Sequence, residues 1–520
     1  MRIETYLEDS ARRLPDRVAL VEGERRVTYR QLDELSNRLA NALQARGVGR
    51  GDRIAVFLDN GLECVASVFA ALKAGAAFSV VNPTTKAEKL AFILNNARAK
   101  AVVTSARLVQ TTAAEAVSHA PSVGAVLVAG PAGDASIRGG EGLDGALAAA
   151  SPDAPARRER GIDLDPAMIL YTSGSTGHPK GVVMTHQNMR TAVESVVDYL
   201  GNAESDVVLN VLPLSFGYGL NQVLTMCRVG GTLILEKSFA FPQVVLQKLQ
   251  RERVTGFALV PTIAAMLVQM KNLTPDTLPD LRYITNAAAA LPVPHIQRLM
   301  ELMPRTKLYS MYGQTECTRA LYLDPSQLTV RPDSVGRAIP NTEVWVVNEL
   351  GERAAPGEVG ELVVRGGHVM SGYWENPQET AKALRPGPLP GERVLYTGDL
   401  FRTDAEGYFY FVARKDDIIK TRGEKVSPKD VENVLYQLTG VAEACVVGVP
   451  DPILGQAIKA VIVPAEGQAV ALTETDVRRH CAARLEDFMV PKVVEFRQEL
   501  PKTMSGKIRR KDVEPVPAIA

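Results

Sequence analysis

The sequence predicts an α/β fold, with a large N-terminal unit of mostly parallel, helix-covered strands and a small α+β unit at the C-terminal end. Three observations predict it. Helix-period and strand-period segments alternate through the first third of the chain. Near residue 400 the pattern changes to short aromatic and β-branched runs. The chain has 520 residues, 46% hydrophobic and 23% charged, which supplies apolar material for more than one core.

Leu32, Leu35, Leu39 and Leu43 recur at helical spacing, with Gly47 as a stop. Ile54–Leu58 reads as a buried strand, Cys64–Lys73 as a helix and Phe78–Val81 as the next strand. Thr85 and Glu88 have the spacing of a capping box ahead of Leu90, Ile93, Leu94 and Ala97. Ala101–Thr104 is a further strand, and such alternation argues for parallel strands covered by helices. Residues 130–160, rich in Gly, Ala, Pro and charge, read as a surface excursion. Farther on, Gly407–Val412 reads as a strand of a second sheet. Asp430–Leu438 and Glu474–Leu485 read as helices, and Ala444–Val449 and Ile458–Val463 as strands. The unit boundary is placed at 412–417.

Composition narrows the function. Lys plus Arg number 59 and Asp plus Glu number 59, so the net charge gives no case for nucleic acid or an anionic membrane as the main partner. The five cysteines form no CxxC pair, which argues against a disulfide framework or a structural zinc site. No apolar stretch approaches the ~20 residues of a membrane span. A cytoplasmic enzyme, monomer or homodimer, is the expectation.

The strongest local signal is Tyr171-Thr172-Ser173-Gly174-Ser175-Thr176-Gly177-His178-Pro179-Lys180-Gly181, which follows the apolar run Met168–Leu170. A helix is expected after it, with Met189, Val193, Val196, Val197 and Leu200 on one face. Its glycines let the backbone turn tightly and present N–H groups to an anion. Its hydroxyls add donors, and Lys180 adds a charge suited to phosphate. The GxxxxGK[ST] spacing of the Walker loop is absent.

This string resembles the phosphate loop of the adenylate-forming superfamily of acyl-CoA synthetases, peptide-synthetase adenylation domains and luciferases. The resemblance runs from about Val27-Thr28-Tyr29 to Lys507, through several motifs in order. It implies two stacked α/β layers with a mobile C-terminal domain: residues 1–412, a hinge at 413–417, and 418–520. It implies that Thr172, Ser173, Gly174, Ser175, Thr176, Gly177 and Lys180 bind ATP, with Thr176 and Lys180 taking part in catalysis. Tyr312-Gly313-Gln314-Thr315-Glu316 resembles the YGxTE motif, in which Thr315 meets a nucleotide phosphate and Glu316, with Thr176, holds Mg²⁺. A carboxylate suits a hard cation bridging ATP oxygens. Tyr396-Thr397-Gly398-Asp399 resembles the TGD segment, with Asp399 and then Arg414 on the ribose. Asp416 matches the hinge. Leu500-Pro501-Lys502-Thr503-Met504-Ser505-Gly506-Lys507 resembles the segment whose final lysine acts at the α-phosphate.

The departures point at the acid. Phe216, in Leu212–Gly219, stands where relatives often carry histidine, and Tyr218 follows it. In Asn286-Ala287-Ala288-Ala289-Ala290, Ala287 replaces a glycine and Ala290 a proline. Phe216, Tyr218, Asn286, Ala287 and Gly313 are the expected acyl pocket, with Ala288 on the adenine side. Gly423 keeps one glycine where the thiol tunnel passes, beside Arg422. No Asp occurs from Leu214 to Met226 to hold an α-ammonium, and neither Trp345 nor Trp374 lies in a pocket motif. A medium or large acyl group, or an aryl acid, fits better than an amino acid or acetate. The resemblance implies ATP, Mg²⁺ and CoA, or a carrier-protein phosphopantetheine supplied in trans. Three readings stand: a CoA ligase, an adenylating enzyme that passes the acyl group to a carrier thiol, amine or other nucleophile, and a non-catalytic nucleotide-binding protein.

Overall fold

In the computed structural model, which describes residues 1–130, 136–156, 161–172, 179–422, 424–451, 453–465, 472–503 and 508–513, the apolar runs of the first third become an eight-stranded sheet. Its parallel centre is Ala77–Val80, Arg53–Phe57, Ala101–Ser105 and Ala125–Ala129. Side chains alternate across these strands. Ile54, Val56, Phe78, Val80 and Val103 face one core, with Leu32, Leu39 and Leu43 of the helix Tyr29–Ala45. Ala55, Phe57, Val102 and Val126 face another, with Leu90, Ile93 and Leu94 of the helix Ala87–Asn96. Both faces are covered, so the strands carry unbroken apolar runs.

A second, nine-stranded sheet places Lys307–Tyr312, Tyr283–Asn286, Gly256–Leu259, Val207–Asn210, Thr232–Leu235 and Val18–Glu22 parallel and side by side. Val208, Leu209, Leu233 and Ile234 share the first core with Ile54 and Val56, so the two sheets stack through one continuous apolar layer. A five-stranded antiparallel sheet follows, centred on Gly360–Gly366 and Arg393–Thr403. The strand Phe409–Arg414 pairs with Arg393–Thr403 and belongs to this sheet. A fourth sheet is made wholly from residues after 418, with the helices Pro428–Leu435 and Glu474–Ala482 and a core that includes Ile419, Leu435, Ile458 and Val477. It touches the third sheet where Ser427 Oγ donates to Val412 O at 2.8 Å and Lys429 Nζ to Phe411 O at 2.9 Å.

Several local expectations need correction. The helix Ala87–Asn96 is capped at Lys86 without a side-chain bond, so Thr85 and Glu88 form no capping box. Asn82 takes over the local bonding there, accepting from the backbone N–H and hydroxyl of Thr84. Residues 136–156 are more than an excursion. Gly140–Gly142 adds a strand to the sheet edge, and Leu143 and Ala146 of the following short helix are buried.

Histidine burial sets an acid limit on stability. The Ile3 N–H donates to His186 Nδ1 at 3.1 Å, which keeps that nitrogen an unprotonated acceptor. Burial and then Arg2 push the ring pKa down to about 4, outweighing the opposing charges of Asp165 and Asp163. Burial also pushes His368 down to about 4. Histidine in an unfolded chain titrates near ~6.5, so between these values the unfolded state binds more protons. The stabilisation is fully present above about pH 6.5 and is lost as pH falls towards 4, by up to roughly 3 kcal/mol per ring. Denaturant midpoints from pH 7 to 4.5 should decline on this limb. His186→Gln should lower stability at pH 7 and make the decline shallower; an unchanged slope would remove His186 from this account.

Candidate active site

The hydroxyl-rich segment spans a β-hairpin. Pro166–Thr172 and Lys180–Thr185 pair antiparallel, with Thr172 opposite Lys180. The helix His186–Leu200 starts only after the second strand, at a Thr185–Asn188 capping box. The segment therefore joins two strands and does not run directly into the helix N-terminus. Ser173, Gly174, Ser175, Thr176 and Gly177 lie outside the described residues, as do Gly423 and Lys507.

At the end of the hairpin, Lys180 Nζ forms an ion pair with Glu379 and lies 5.4 Å from the centre of the Tyr373 ring. Glu379 also accepts from Lys382 at 2.5 Å, and these cations hold its carboxyl below the usual range, Lys180 most of all. The Tyr373 hydroxyl donates to Glu316 Oε1 at 2.8 Å. Burial, followed by the Glu316 charge, pushes the Tyr373 phenol well above its ordinary pKa, so it stays a donor. Lys180 and Glu316 thus meet around one tyrosine ring, although 136 positions separate them in sequence.

The strand Lys307–Tyr312 delivers the second group. The Tyr312 hydroxyl donates to Asp399 Oδ2 at 2.6 Å, and its ring stands edge-on to Phe401 with centroids 4.9 Å apart. Asp399 and Arg414 are directly opposite in the antiparallel pair, and Arg414 Nε lies 3.5 Å from Asp399 Oδ1. The fifteen-residue spacing of this pair in the sequence is therefore the return path of one hairpin. Gly398 carries a φ of +71°, and its N–H donates to Glu361 Oε1 at 3.0 Å, which fixes the turn that presents Asp399. Gln314 Nε2 reaches Thr397 O at 3.4 Å. Gly313 must lack a side chain, since a Cβ there would lie 2.5 Å from Thr318 O and 2.8 Å from Arg319 Cα.

The third group lies beneath. The Tyr218 hydroxyl bonds Thr285 O at 2.9 Å and Thr285 Oγ1 at 2.5 Å, tying the helix Gly217–Val229 to the strand Tyr283–Asn286. Phe216 stands edge-on to Tyr218 at 6.4 Å. Asn286 is buried, with its amide donating to Ala289 O at 3.0 Å. Ala287 is buried beside it, and Ala288 adopts φ +76°, the left-handed region that the glycine-to-alanine departures do not reveal. Asp416 is exposed in the turn after Phe409–Arg414.

Sequence reasoning missed Tyr373, Glu379 and Glu361. Tyr373 sits in Gly372-Tyr373-Trp374, a short aromatic run that carries no chemistry until the fold sets it on Glu316.

A family model described as AMP-binding enzyme matches residues 7–374, and one described as AMP-binding enzyme C-terminal domain matches residues 430–507. The chain belongs to the AMP-binding enzyme family. A feruloyl-CoA synthase from Amycolatopsis is 34% identical to this AMP-binding enzyme over 505 residues, 97% of the chain and 96% of the relative. An indoleacetate–CoA ligase from Aromatoleum aromaticum is 31% identical, over 99% of the chain and 98% of the relative. Among solved structures, a benzoate CoA ligase from Burkholderia xenovorans superposes with a TM-score of 0.87 at 27% identity, covering 99% of each chain. An anthranilate CoA ligase in complex with anthranoyl-AMP superposes with a TM-score of 0.88 at 26% identity, covering 99% of this chain and 96% of that one. Among the described residues no helix is long and apolar enough to cross a membrane.

Proposed function

We propose that this enzyme joins a medium or large acyl or aryl acid to ATP, releasing pyrophosphate and forming an acyl-adenylate, and then transfers the acyl group to the thiol of CoA. It is an AMP-forming acid–thiol ligase. The convergence of Lys180 and Glu316 on Tyr373, a few strands from the Asp399–Arg414 pair, carries the reading. In this reading Lys180 is the phosphate-binding cation, Glu316 the metal-binding carboxylate, and Asp399 with Arg414 the ribose-binding pair.

Each residue has a task in this reading. Lys180 neutralises the outer phosphates, Thr172 to Gly177 and Thr315 bond them, and Asp399 with Arg414 fixes the ribose. Ala288, Tyr312, Gly313 and Gln314 border the adenine. Lys507 approaches the α-phosphate as the carboxylate attacks and P–O charge develops. Phe216, Tyr218, Asn286 and Ala287 shape the acyl site. The small domain turns about Asp416 between half-reactions and brings the thiol past Gly423. Mg²⁺ fits the donor set: Glu316 offers one carboxylate oxygen beyond that bonded to Tyr373, and among the described residues no cluster of three ligating side chains exists. An ion with this affinity takes most of its remaining ligands from phosphate and water. When bound it would shield the phosphate charge.

Mixing the enzyme with ATP, Mg²⁺ and a panel of aryl and aliphatic acids, with and without CoA, tests the function by product mass. Thioester should appear only with CoA. Adenylate that accumulates and passes only to an amine or a carrier thiol would replace CoA as the acceptor, and no adenylate with any acid would sink the reading.

The Lys180–Glu379 pair makes a smaller prediction. ATP must displace Glu379 to engage Lys180. A half-buried pair of this kind is worth about 1 kcal/mol. Glu379→Gln should therefore lower the KM for ATP by roughly fivefold. A raised KM would mean that Glu379 positions Lys180 for the nucleotide.

A further inference from the structure

Arg319 is a buried cation that the reaction described above does not use. It lies three residues after Glu316, on the far side of a tight turn. Thr318 carries φ +57°, Arg319 N–H donates to Cys317 O at 2.5 Å, and Ala320 N–H returns to Tyr312 O at 2.9 Å. This turn folds Arg319 under Gly313 and leaves it 2% exposed.

Its surroundings are aromatic. The guanidinium carbon lies 4.9 Å from the centre of the Tyr218 ring, the tyrosine expected in the acyl pocket. Its charge also opposes the burial that drives the Tyr199 and Tyr218 phenols upward. Tyr199 in turn stacks on Tyr322 at 4.3 Å. Arg319 also donates towards the Tyr199 hydroxyl, a neutral acceptor that leaves its charge without a counter-ion.

No carboxylate among the described residues pairs with Arg319. Glu316 is engaged by Tyr373, and Asp399 by Tyr312 and Arg414. Arg319 Nε is buried without a hydrogen-bond partner. Two further buried polar atoms without partners flank Tyr218: Asn221 Nδ2, three residues on in the same helix, and Asn286 Oδ1, next to the Thr285 that bonds the Tyr218 hydroxyl. A buried charge or amide left unpaired is strongly unfavourable, and a fold keeps one where a ligand completes it.

We propose that Arg319 selects the acid: the preferred substrate carries a second carboxylate on its acyl body, which pairs with Arg319 beside Tyr218 while the first carboxylate is adenylated. This rests on the adenylation reading above and narrows it to dicarboxylic acids. Guanidinium and carboxylate match as a planar two-bond pair, which Lys reproduces only as a point charge.

The test uses matched acids that differ only at the far end: adipate against hexanoate, suberate against octanoate, and terephthalate against 4-methylbenzoate. Acid-dependent ATP–pyrophosphate exchange gives kcat/KM for each. The diacid should be favoured at least tenfold in one pair or more. Arg319→Met should reverse that preference and raise monoacid turnover, while Arg319→Lys keeps its direction at reduced size. Thermal melting checks that the variants fold; if Arg319→Met does not, the wild-type pairs decide alone. Monoacids preferred in every pair, or a diacid preference that survives Arg319→Met, would overturn the proposal while leaving adenylation intact. Exchange with none of the six acids would count against the adenylation reading, and the proposal would fall with it.

Discussion

Lys507→Ala should reduce acyl-adenylate formation by at least about 100-fold, the scale on which removal of one transition-state donor acts. Thioester formation from a supplied acyl-adenylate and CoA should fall far less. The asymmetry follows from the chemistry. Adenylation develops charge on phosphorus between two anions, and a cation placed there acts only during that step. Thiol attack takes place at the acyl carbon, where this charge is no longer forming. In the proposed reading Lys507 and Gly423 serve different steps, and a rotation about Asp416 would let each step have its own group. Separate assays of the two half-reactions check this. Equal loss in both would strip Lys507 of the role and leave the rotation without its reason.

Asp399→Ala should raise the KM for ATP by about 100-fold, equivalent to two charge-assisted hydrogen bonds at roughly 1.5 kcal/mol each. Stability should fall as well, by about 1–3 kcal/mol, because the Tyr312 hydroxyl loses its acceptor in a buried setting. Tyr312→Phe separates the two effects. It removes the donor together with its need for a partner, so it should affect ATP affinity much less than Asp399→Ala. Measured KM values beside denaturant midpoints decide the matter. A normal KM with a lowered midpoint in Asp399→Ala would make Asp399 a structural anchor for Tyr312 and Arg414 only.

Much of this was legible in the residues. Alternating apolar runs announced the parallel sheets because a strand buried on both faces has no room for polar side chains, as Ile54–Phe57 illustrates. The ordered motifs from Thr172 to Lys507 placed the chain among adenylate-forming enzymes, since each motif pairs a backbone shape with a charge. Local capping was less legible: Thr85 and Glu88 had the right spacing, and Asn82 took the bonds instead. Competition between neighbouring polar side chains for the same N–H groups is decided by turn geometry that spacing does not encode.

Sequence by itself determined the fold class, the family and the set of charges available for nucleotide chemistry. Those are properties of local pattern and residue type. Only the tertiary structure decided which charges face one another. Tyr373 reaches Glu316 across 57 positions, Glu379 reaches Lys180 across 199, and Tyr312 reaches Asp399 across 87. It also decided that Arg319 is buried against Tyr218 with no carboxylate of its own among the described residues. Burial and pairing depend on how sheets stack and where hairpins return, and an arginine in a sequence looks the same whether water or a substrate answers its charge.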